Sequence, residues 1–238
     1  MSAPASLLPR HPRLARAARA LALSLALFAL ALVAIPGLAI PIAGAQGAGD
    51  ADALGALLAR FAAMPGLEAE FREEKRIALL RTPLVNEGTL HFSPPDRLAR
   101  HVLRPSPSSV LVQGGRMRVA DASGERELEL DTQPLLRAFV DPFLGLLGGD
   151  RRALERAYRL RFLPSSEADA WVLELRPHQP ALGRILRHIR LEGQGLALSR
   201  LRVEEQSGDV SETTFRAVDS ARRYSATELR LLFSLPRP

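Results

Sequence analysis

The chain has 238 residues, a formal net charge of +6 and no cysteine. The lack of cysteine excludes disulfides, cysteine metal ligands, a cysteine nucleophile and the lipid-modified cysteine of a bacterial lipoprotein. Four arginines and no acidic residue lie in residues 1–45, so the rest of the chain carries only +2 once these four are removed from the total. So small a charge gives little support to a nucleic-acid partner.

The N-terminal segment has the form of a secretory signal peptide. The four arginines precede an apolar run, Ala20–Ile35, and Ala43-Gly44-Ala45 supplies small residues for cleavage before Gln46. An uncleaved membrane anchor is the alternative, but the run is short for a span of about 20 residues and prolines follow it. We predict a cleaved signal peptide over residues 1–45 and one domain over residues 46–238.

The segment after this leader predicts an amphipathic helix over residues 51–64. Four apolar side chains recur at helical spacing: Leu54, Leu57, Leu58 and Phe61. Asp50 or Asp52 could cap the start of this helix, and Pro65-Gly66 would end it.

Alternating apolar and polar residues predict strands over most of the remaining chain. Before a central apolar segment, the predicted strands cover residues 67–80, 84–92, 98–105, 110–113, 116–120 and 126–130. After it they cover residues 158–162, 171–175, 185–191, 197–205 and 210–218, and Leu229–Leu235 could form a last strand. About eleven strands, mostly adjacent in sequence, predict a mainly β (α+β) protein with a curved antiparallel sheet or barrel.

The central segment, Thr132–Gly149, is the most apolar part of the chain outside the N-terminus. It predicts one or two short helices, with Thr132 as a candidate N-cap and Pro142 at the start of the second. Asp150 could cap a further short helix. A strongly apolar helix in a β-rich chain either seals the core or covers a cavity that another molecule fills.

Motifs of the common catalytic and nucleotide-binding sites are absent from the sequence. There is no phosphate-binding glycine loop, no dinucleotide fingerprint and no nucleophile elbow. The histidines have no zinc-binding spacing and are expected on exposed strand faces: His91, His101, His178 and His188. A catalytic triad assembled in space stays open, but nothing singles out a nucleophile. We therefore predict a protein that is not an enzyme, with no cofactor and no metal site.

A set of arginines is expected on the outward faces of the strands: Arg97, Arg100, Arg104, Arg159, Arg161, Arg187 and Arg190. They could meet phospholipid headgroups or an acidic partner. Ordinary solvated strand faces are the favoured interpretation.

Four segments carry a resemblance to a known family: Phe71–Lys75, Glu87–Arg100, Val110–Met117 and Asp141–Leu144. In this order they resemble the LolA family of periplasmic outer-membrane lipoprotein carriers, over residues 50–220. Three positions depart from the family pattern. Pro94 stands where the family commonly has an arginine associated with holding a lid closed, Arg100 stands where an aromatic residue is frequent, and Gly114 replaces an aspartate.

The resemblance implies an unclosed antiparallel β-barrel with a helical lid over an apolar cavity for acyl chains. The expected cavity residues are Phe71, Leu90, Phe92, Leu98, Val102, Val112, Met117, Trp171 and Leu173. The expected lid residues are Leu135, Leu136, Phe139, Phe143, Leu146 and Leu147. The implied partners are an acylated lipoprotein or lipid cargo, an inner-membrane donor and an outer-membrane acceptor, and we expect a periplasmic monomer that binds no nucleic acid.

Other interpretations remain beside this one. The chain could be an envelope module that senses lipids or lipoproteins, or a carrier for a lipid-linked product other than a lipoprotein. An enzyme acting on lipid-linked substrates and a purely structural envelope protein are further alternatives.

Overall fold

The computed structural model describes residues 48–164, 167 and 169–234 of the chain, so the predicted signal peptide lies outside the described residues. Eleven strands are present: β1 Leu67–Arg76, β2 Leu84–Ser93, β3 Arg97–Arg104, β4 Ser108–Gln113, β5 Arg116–Asp121, β6 Gly124–Glu129, β7 Tyr158–Pro164, β8 Ala170–Pro177, β9 Leu186–Gln194, β10 Ala197–Glu205 and β11 Val210–Asp219. The helices are α1 Ala48–Ala62, α2 Pro134–Leu147, α3 Arg151–Glu155, α4 Pro180–Gly183 and α5 Ala226–Leu232, and Leu130–Thr132 forms a 3-10 turn.

The strands form one antiparallel sheet in the order β6-β5-β4-β3-β2-β1-β11-β10-β9-β8-β7. The first and last strands pair at its centre, where Phe71 lies opposite Phe215. Strands β6 and β7 are the two free edges, so the sheet does not close. These observations confirm the mainly β, unclosed architecture with helices. Because residues 130–157 connect the two free edges, this connection carries α2 to the inner face of the sheet.

The main core lies between the inner face of the sheet and helices α1, α2 and α3. All four apolar side chains that predict α1 are buried, and Phe61 packs edge-on against Trp171 at 6.1 Å between ring centroids. Burial of such side chains contributes about 1.5–3 kcal/mol each. Neither candidate cap lies at the start of α1, because the helix already begins at Ala48 and includes Asp50 and Asp52.

Helix α2 is the single-helix outcome of the two that the sequence predicts, and Pro142 does not start a second helix. It is one helix with Pro142 inside it, Pro134 in its first turn and Gln133 at its N-cap position. Thr132 is not the cap; its hydroxyl donates to the carbonyl of Glu129 in the preceding turn. After α2, Asp150 caps α3 as predicted, because its side chain accepts a hydrogen bond from the backbone N–H of Ala153.

The C-terminal segment also differs from expectation. Residues 226–232 form helix α5 instead of a strand, and residue 235 lies outside the described residues. Ser225 and Glu228 form a capping box, which satisfies two free N–H groups at the start of the helix. Side chains of α5 and Phe233 pack on Ala99 and Leu111, on the outer face of the sheet.

Helix α5 and its flanking residues cover two of the histidines expected to be exposed. His91 is 3% exposed, and its Nδ1 lies 3.3 Å from the hydroxyl of Tyr224. His101 Nε2 donates to the carbonyl of Leu232, and its Nδ1 lies 2.8 Å from the hydroxyl of Ser109. The expectation of exposed strand histidines is therefore wrong for His91 and for the half-buried His101.

Candidate ligand cavity

A cavity lies between α2 and the inner face of the sheet. Its empty volume is about 1100 Å³ when the open space at its mouth is counted. Fourteen apolar side chains line it: Phe71, Leu90, Leu98, Val110, Val112, Phe139, Val140, Pro142, Phe143, Ile189, Leu191, Leu201, Val203 and Phe215. Five polar residues complete the wall: Glu73, Lys75, Arg100, Ser211 and Thr213.

Strand alternation explains why the wall is apolar. Successive side chains of a strand point to opposite faces, so the inner face takes every second residue. In β1, Ala69 and Phe71 are buried on this face, while Glu70 between them is exposed. Five strands on the two sides of the β1–β11 pair contribute lining residues, so the apolar wall comes from both halves of the sheet.

Helix α2 closes the cavity on the side away from the sheet. Phe139, Val140, Pro142 and Phe143 are its lining residues, and the ring of Phe143 meets that of Phe215 at 6.3 Å in a tilted edge contact. Apolar contact of this kind resists opening of the helix without fixing it by specific polar bonds.

One hydrogen bond fastens α2 where the helix would otherwise be weakest. Pro142 has no N–H, so the carbonyl of Ala138, four residues earlier, lacks its helical partner. The hydroxyl of Tyr158 donates to that carbonyl at 2.6 Å. Tyr158 is buried, and burial raises the pKa of its hydroxyl, so the group stays protonated and can donate at neutral pH.

Ionic contacts also lie at the outer side of α2. Arg137 contacts Asp131 and Asp141, and Arg156 lies 3.9 Å from the Asp141 carboxylate. Burial raises the pKa of Asp141, and the two arginines oppose this rise. In the LolA pattern an arginine is associated with the closed lid, and this chain has Pro94 at that position. The ionic contacts of α2 therefore do not involve that arginine.

The polar residues of the wall form a cluster around Glu73. Its Oε2 accepts hydrogen bonds from Arg100 Nη2 at 2.9 Å and Asn86 Nδ2 at 3.0 Å, and its Oε1 accepts from Ser211 Oγ at 2.9 Å. The guanidinium of Arg100 also lies over the ring of Phe71, at 4.3 Å from the centroid. Burial lowers the pKa of Arg100, and Glu73 opposes that shift.

The inward position of Arg100 corrects the expectation of an outward, solvated side chain. Leu98 and Val102 flank it at two-residue spacing and pack on the inner face, so Arg100 belongs to the same face. The alternation around residue 100 was the signal that could have placed it inside. Arg161 and Arg190 both contact Glu174, at 3.8 and 3.0 Å, in the manner expected of partly solvated strand faces.

The structure brings six of the expected cavity and lid residues together around the cavity: Phe71, Leu90, Leu98, Val112, Phe139 and Phe143. Seven others pack in the core: Phe92, Val102, Met117, Leu146, Leu147, Trp171 and Leu173. Leu136 packs against the cluster that contains Met117, and Leu135 is partly exposed. Sequence reasoning missed the cavity residues of the C-terminal strands, among them Ile189, Leu201 and Phe215.

In the ranges that the structure describes, no group of three or more His, Cys, Asp or Glu side chains could hold a metal ion. Within the same ranges no helix is both long and apolar enough to cross a bilayer.

The family model of LolA-like outer membrane lipoprotein carrier proteins matches residues 43–231. The chain belongs to this LolA-like family. The match covers the entire sheet, α2 and the cavity wall, so the family assignment and the fold concern the same part of the chain.

Solved structures similar to this LolA-like chain have low sequence identity. A LolA superfamily protein from Nitrosomonas europaea is 12% identical over 72% of this chain and 94% of that chain, with a TM-score of 0.40. A putative outer membrane lipoprotein-sorting protein domain from Vibrio parahaemolyticus is 12% identical over 78% and 97%, with a TM-score of 0.44. The Pseudomonas aeruginosa MucA/MucB complex matches at 12% identity over 74% of this chain and 60% of the matched chain, with a TM-score of 0.45. No curated protein sequence matches the chain.

Proposed function

We propose that this protein is a periplasmic carrier that binds the acyl chains of lipoproteins or other lipids and shuttles them from the inner towards the outer membrane. The observation that carries the proposal is the apolar cavity beneath α2 in a chain of the LolA-like family. The protein acts without covalent chemistry, since the cavity wall offers apolar contact to a ligand chain over most of its surface.

The energetics of acyl chains favour a carrier with such a cavity. Moving one methylene group from water to an apolar site contributes about 0.8 kcal/mol, so a long acyl chain does not cross an aqueous compartment unshielded. A carrier must also release its load. Helix α2 suits this requirement because apolar contacts and one internal hydrogen bond, from Tyr158, hold it over the cavity.

The same proposal covers the partners and the place of action. The leader at residues 1–45 directs export and is cleaved, residues 46–238 form one lipid-carrying domain, and the protein works as a monomer. An inner-membrane donor loads it and an outer-membrane acceptor unloads it.

Binding of an acyl probe by the purified mature protein tests the first step. We expect a fluorescent fatty-acyl probe to bind with one-to-one stoichiometry and acyl-chain material to co-purify, as detected by mass spectrometry. Phe143→Asp should weaken probe binding about tenfold or more, because it places a carboxylate in the apolar wall. Leu103→Asp, on an apolar side chain that is 58% exposed, is the matched control and should bind as the wild type does.

Two results would overturn the lipid-binding step. The first is a protein that is empty on purification and does not bind the probe although its circular dichroism is that of a β-rich fold. The second is equal probe binding by the wild type and a folded Phe143→Asp variant.

Transfer between vesicles separates a carrier from a sensing module. The loaded protein should move a labelled triacylated peptide from donor to acceptor vesicles in proportion to its concentration. Binding without transfer would favour the sensing module. Transfer of labelled lipids but not of the triacylated peptide would favour a carrier of another lipid-linked product.

A further inference from the structure

A polar cluster interrupts the apolar wall of the cavity. Glu73 and Lys75 of β1, Arg100 of β3 and Ser211 and Thr213 of β11 all line it. Their strand positions bring them together: Glu73 lies opposite Thr213 and Lys75 opposite Ser211 in the β1–β11 register. A buried ion pair contributes little net stability compared with apolar packing, so the fold itself gives no strong reason for charges here.

The acceptor capacity of this cluster is largely used. Glu73 receives three hydrogen bonds, one from Ser211 on Oε1 and one each from Arg100 and Asn86 on Oε2. Glu73 therefore acts as a fixed anchor for Arg100 and offers little to a ligand donor.

The donor capacity of the cluster is not used up. A guanidinium has five N–H donors, and Arg100 spends one of them on Glu73 among the described residues. The planar face of the Arg100 guanidinium rests on the ring of Phe71, and the side chain is 14% exposed. The N–H groups that Glu73 does not use therefore lie at the edge of the guanidinium that belongs to the cavity wall. Each of the two lining cations has a carboxylate neighbour: Arg100 pairs with Glu73 at 2.9 Å, and Lys75 lies 3.5 Å from Glu205, which does not line the cavity.

We propose that Arg100 is the headgroup site of the cavity and that the ligand is an amphiphile with an anionic end, a carboxylate or a phosphate. The anionic end accepts hydrogen bonds from the N–H groups of Arg100 that Glu73 does not use. The acyl chain lies along the apolar wall, against Leu90, Leu201 and Phe215. This inference rests on the proposed function, since it names the lipid class that the cavity selects.

Displacement of a neutral fluorescent probe, N-phenyl-1-naphthylamine, from the mature protein at pH 8 tests the headgroup site. Dodecanoate, dodecyl phosphate and dodecanol share one chain length and differ in the head. Charge-assisted hydrogen bonds are strong in a site of low polarity. The two anions should therefore displace the probe at concentrations about tenfold lower than dodecanol. Acetate and inorganic phosphate should not displace it at the same concentrations, which distinguishes a lipid head from a free anion.

Variants assign the preference to Arg100. The double variant Glu73→Gln with Arg100→Gln removes both charges, so that neither is left buried alone. We expect its preference for dodecanoate over dodecanol to fall to no more than about twofold, because the charge-assisted bond is lost. Arg97→Gln lies on the same strand but outside the cavity wall and should keep the wild-type preference.

The outcomes separate this inference from the function on which it rests. Failure of all three dodecyl compounds to displace the probe would overturn the carrier proposal. Equal affinities for the anions and dodecanol would leave the carrier proposal standing and overturn the headgroup site. The headgroup site is also overturned if the double variant folds, by circular dichroism and thermal melting, and retains the full preference for anions.

Discussion

At the scale of single residues, Tyr158 and Pro142 act as a pair. Proline in a helix interior costs about 3 kcal/mol or more, because it removes a hydrogen bond and its ring crowds the preceding turn. Here the orphaned carbonyl of Ala138 receives the hydroxyl of Tyr158, so the lost bond is replaced from β7. The replacement also ties α2 to the sheet, which an ordinary helical bond would not do.

We expect Tyr158→Phe to lower the free energy of unfolding by about 1–3 kcal/mol, because it leaves a buried carbonyl without a partner. Urea unfolding followed by circular dichroism measures the change. Pro142→Ala provides the decisive background, since alanine returns an N–H to the carbonyl of Ala138. In that background Tyr158→Phe should cost clearly less than in the wild type, and strictly additive effects of the two substitutions would contradict the pairing.

At the scale of elements, the contacts of α2 differ in what they contribute. Asp141 meets two arginines, but burial raises its pKa in spite of them, so the ionised carboxylate is less favourable in the folded protein than in water. The salt bridges of α2 therefore do not hold the helix closed by themselves. Apolar packing, such as that of Phe143 on Phe215, is the stronger restraint.

Hydrogen exchange of residues 134–147 tests this ranking of contacts. Asp141→Asn should leave exchange of α2 unchanged or slow it, because the variant removes a desolvated charge. Phe143→Ser should accelerate exchange, since it removes apolar burial of about 1–3 kcal/mol. Faster exchange in Asp141→Asn than in Phe143→Ser would show that the ion pairs govern closure.

At the scale of the whole molecule, local sequence patterns predict the strands well and the long-range contacts poorly. Alternation such as that of Leu67, Ala69 and Phe71 is a local property and predicts strands directly. The pairing of Phe71 with Phe215 joins residues far apart in sequence, and no local pattern specifies it. The cavity residues of the C-terminal strands were missed for this reason.

Other differences arise where one signal overrides another. Pro142 predicts a helix start, but the compensating donor of Tyr158 lies in another element and is not visible in the local sequence. The charge of Arg100 predicts the outer face, whereas its flanking residues indicate the inner face. The apolar residues after Ser225 predict a strand, although the spacing of Ser225 and Glu228 is typical of the capping box that the structure shows.

The stability of the whole molecule should depend on pH through the outer face beneath α5. The hydroxyl of Tyr224 donates to the carbonyl of Leu67 and therefore accepts from His91 Nδ1, so in the neutral ring Nε2 is the acceptor and lies 3.0 Å from the hydroxyl of Thr89. The pKa of His91 is lowered to about 4, mainly by burial; Glu68 opposes this shift, and the charges of His101 and Arg222 contribute to it. His101, also under α5, has its pKa lowered by burial.

The unfolded chain binds a proton at His91 near pH 6.5, well before the folded protein does, so acid favours unfolding. The stabilisation is complete above about pH 6.5 and is lost as the pH falls towards about 4, with a total for His91 of at most about 3 kcal/mol. Urea unfolding at pH 7.5, 6.0 and 5.0 should show this fall, and His91→Gln should flatten it relative to the wild type. His178→Gln, on an exposed side chain, should leave the slope unchanged. A slope equal in the wild type and His91→Gln would mean that other groups set the acid sensitivity. In that case the pH dependence of the free energy of unfolding would not measure how firmly α5 is held on the outer face of the sheet.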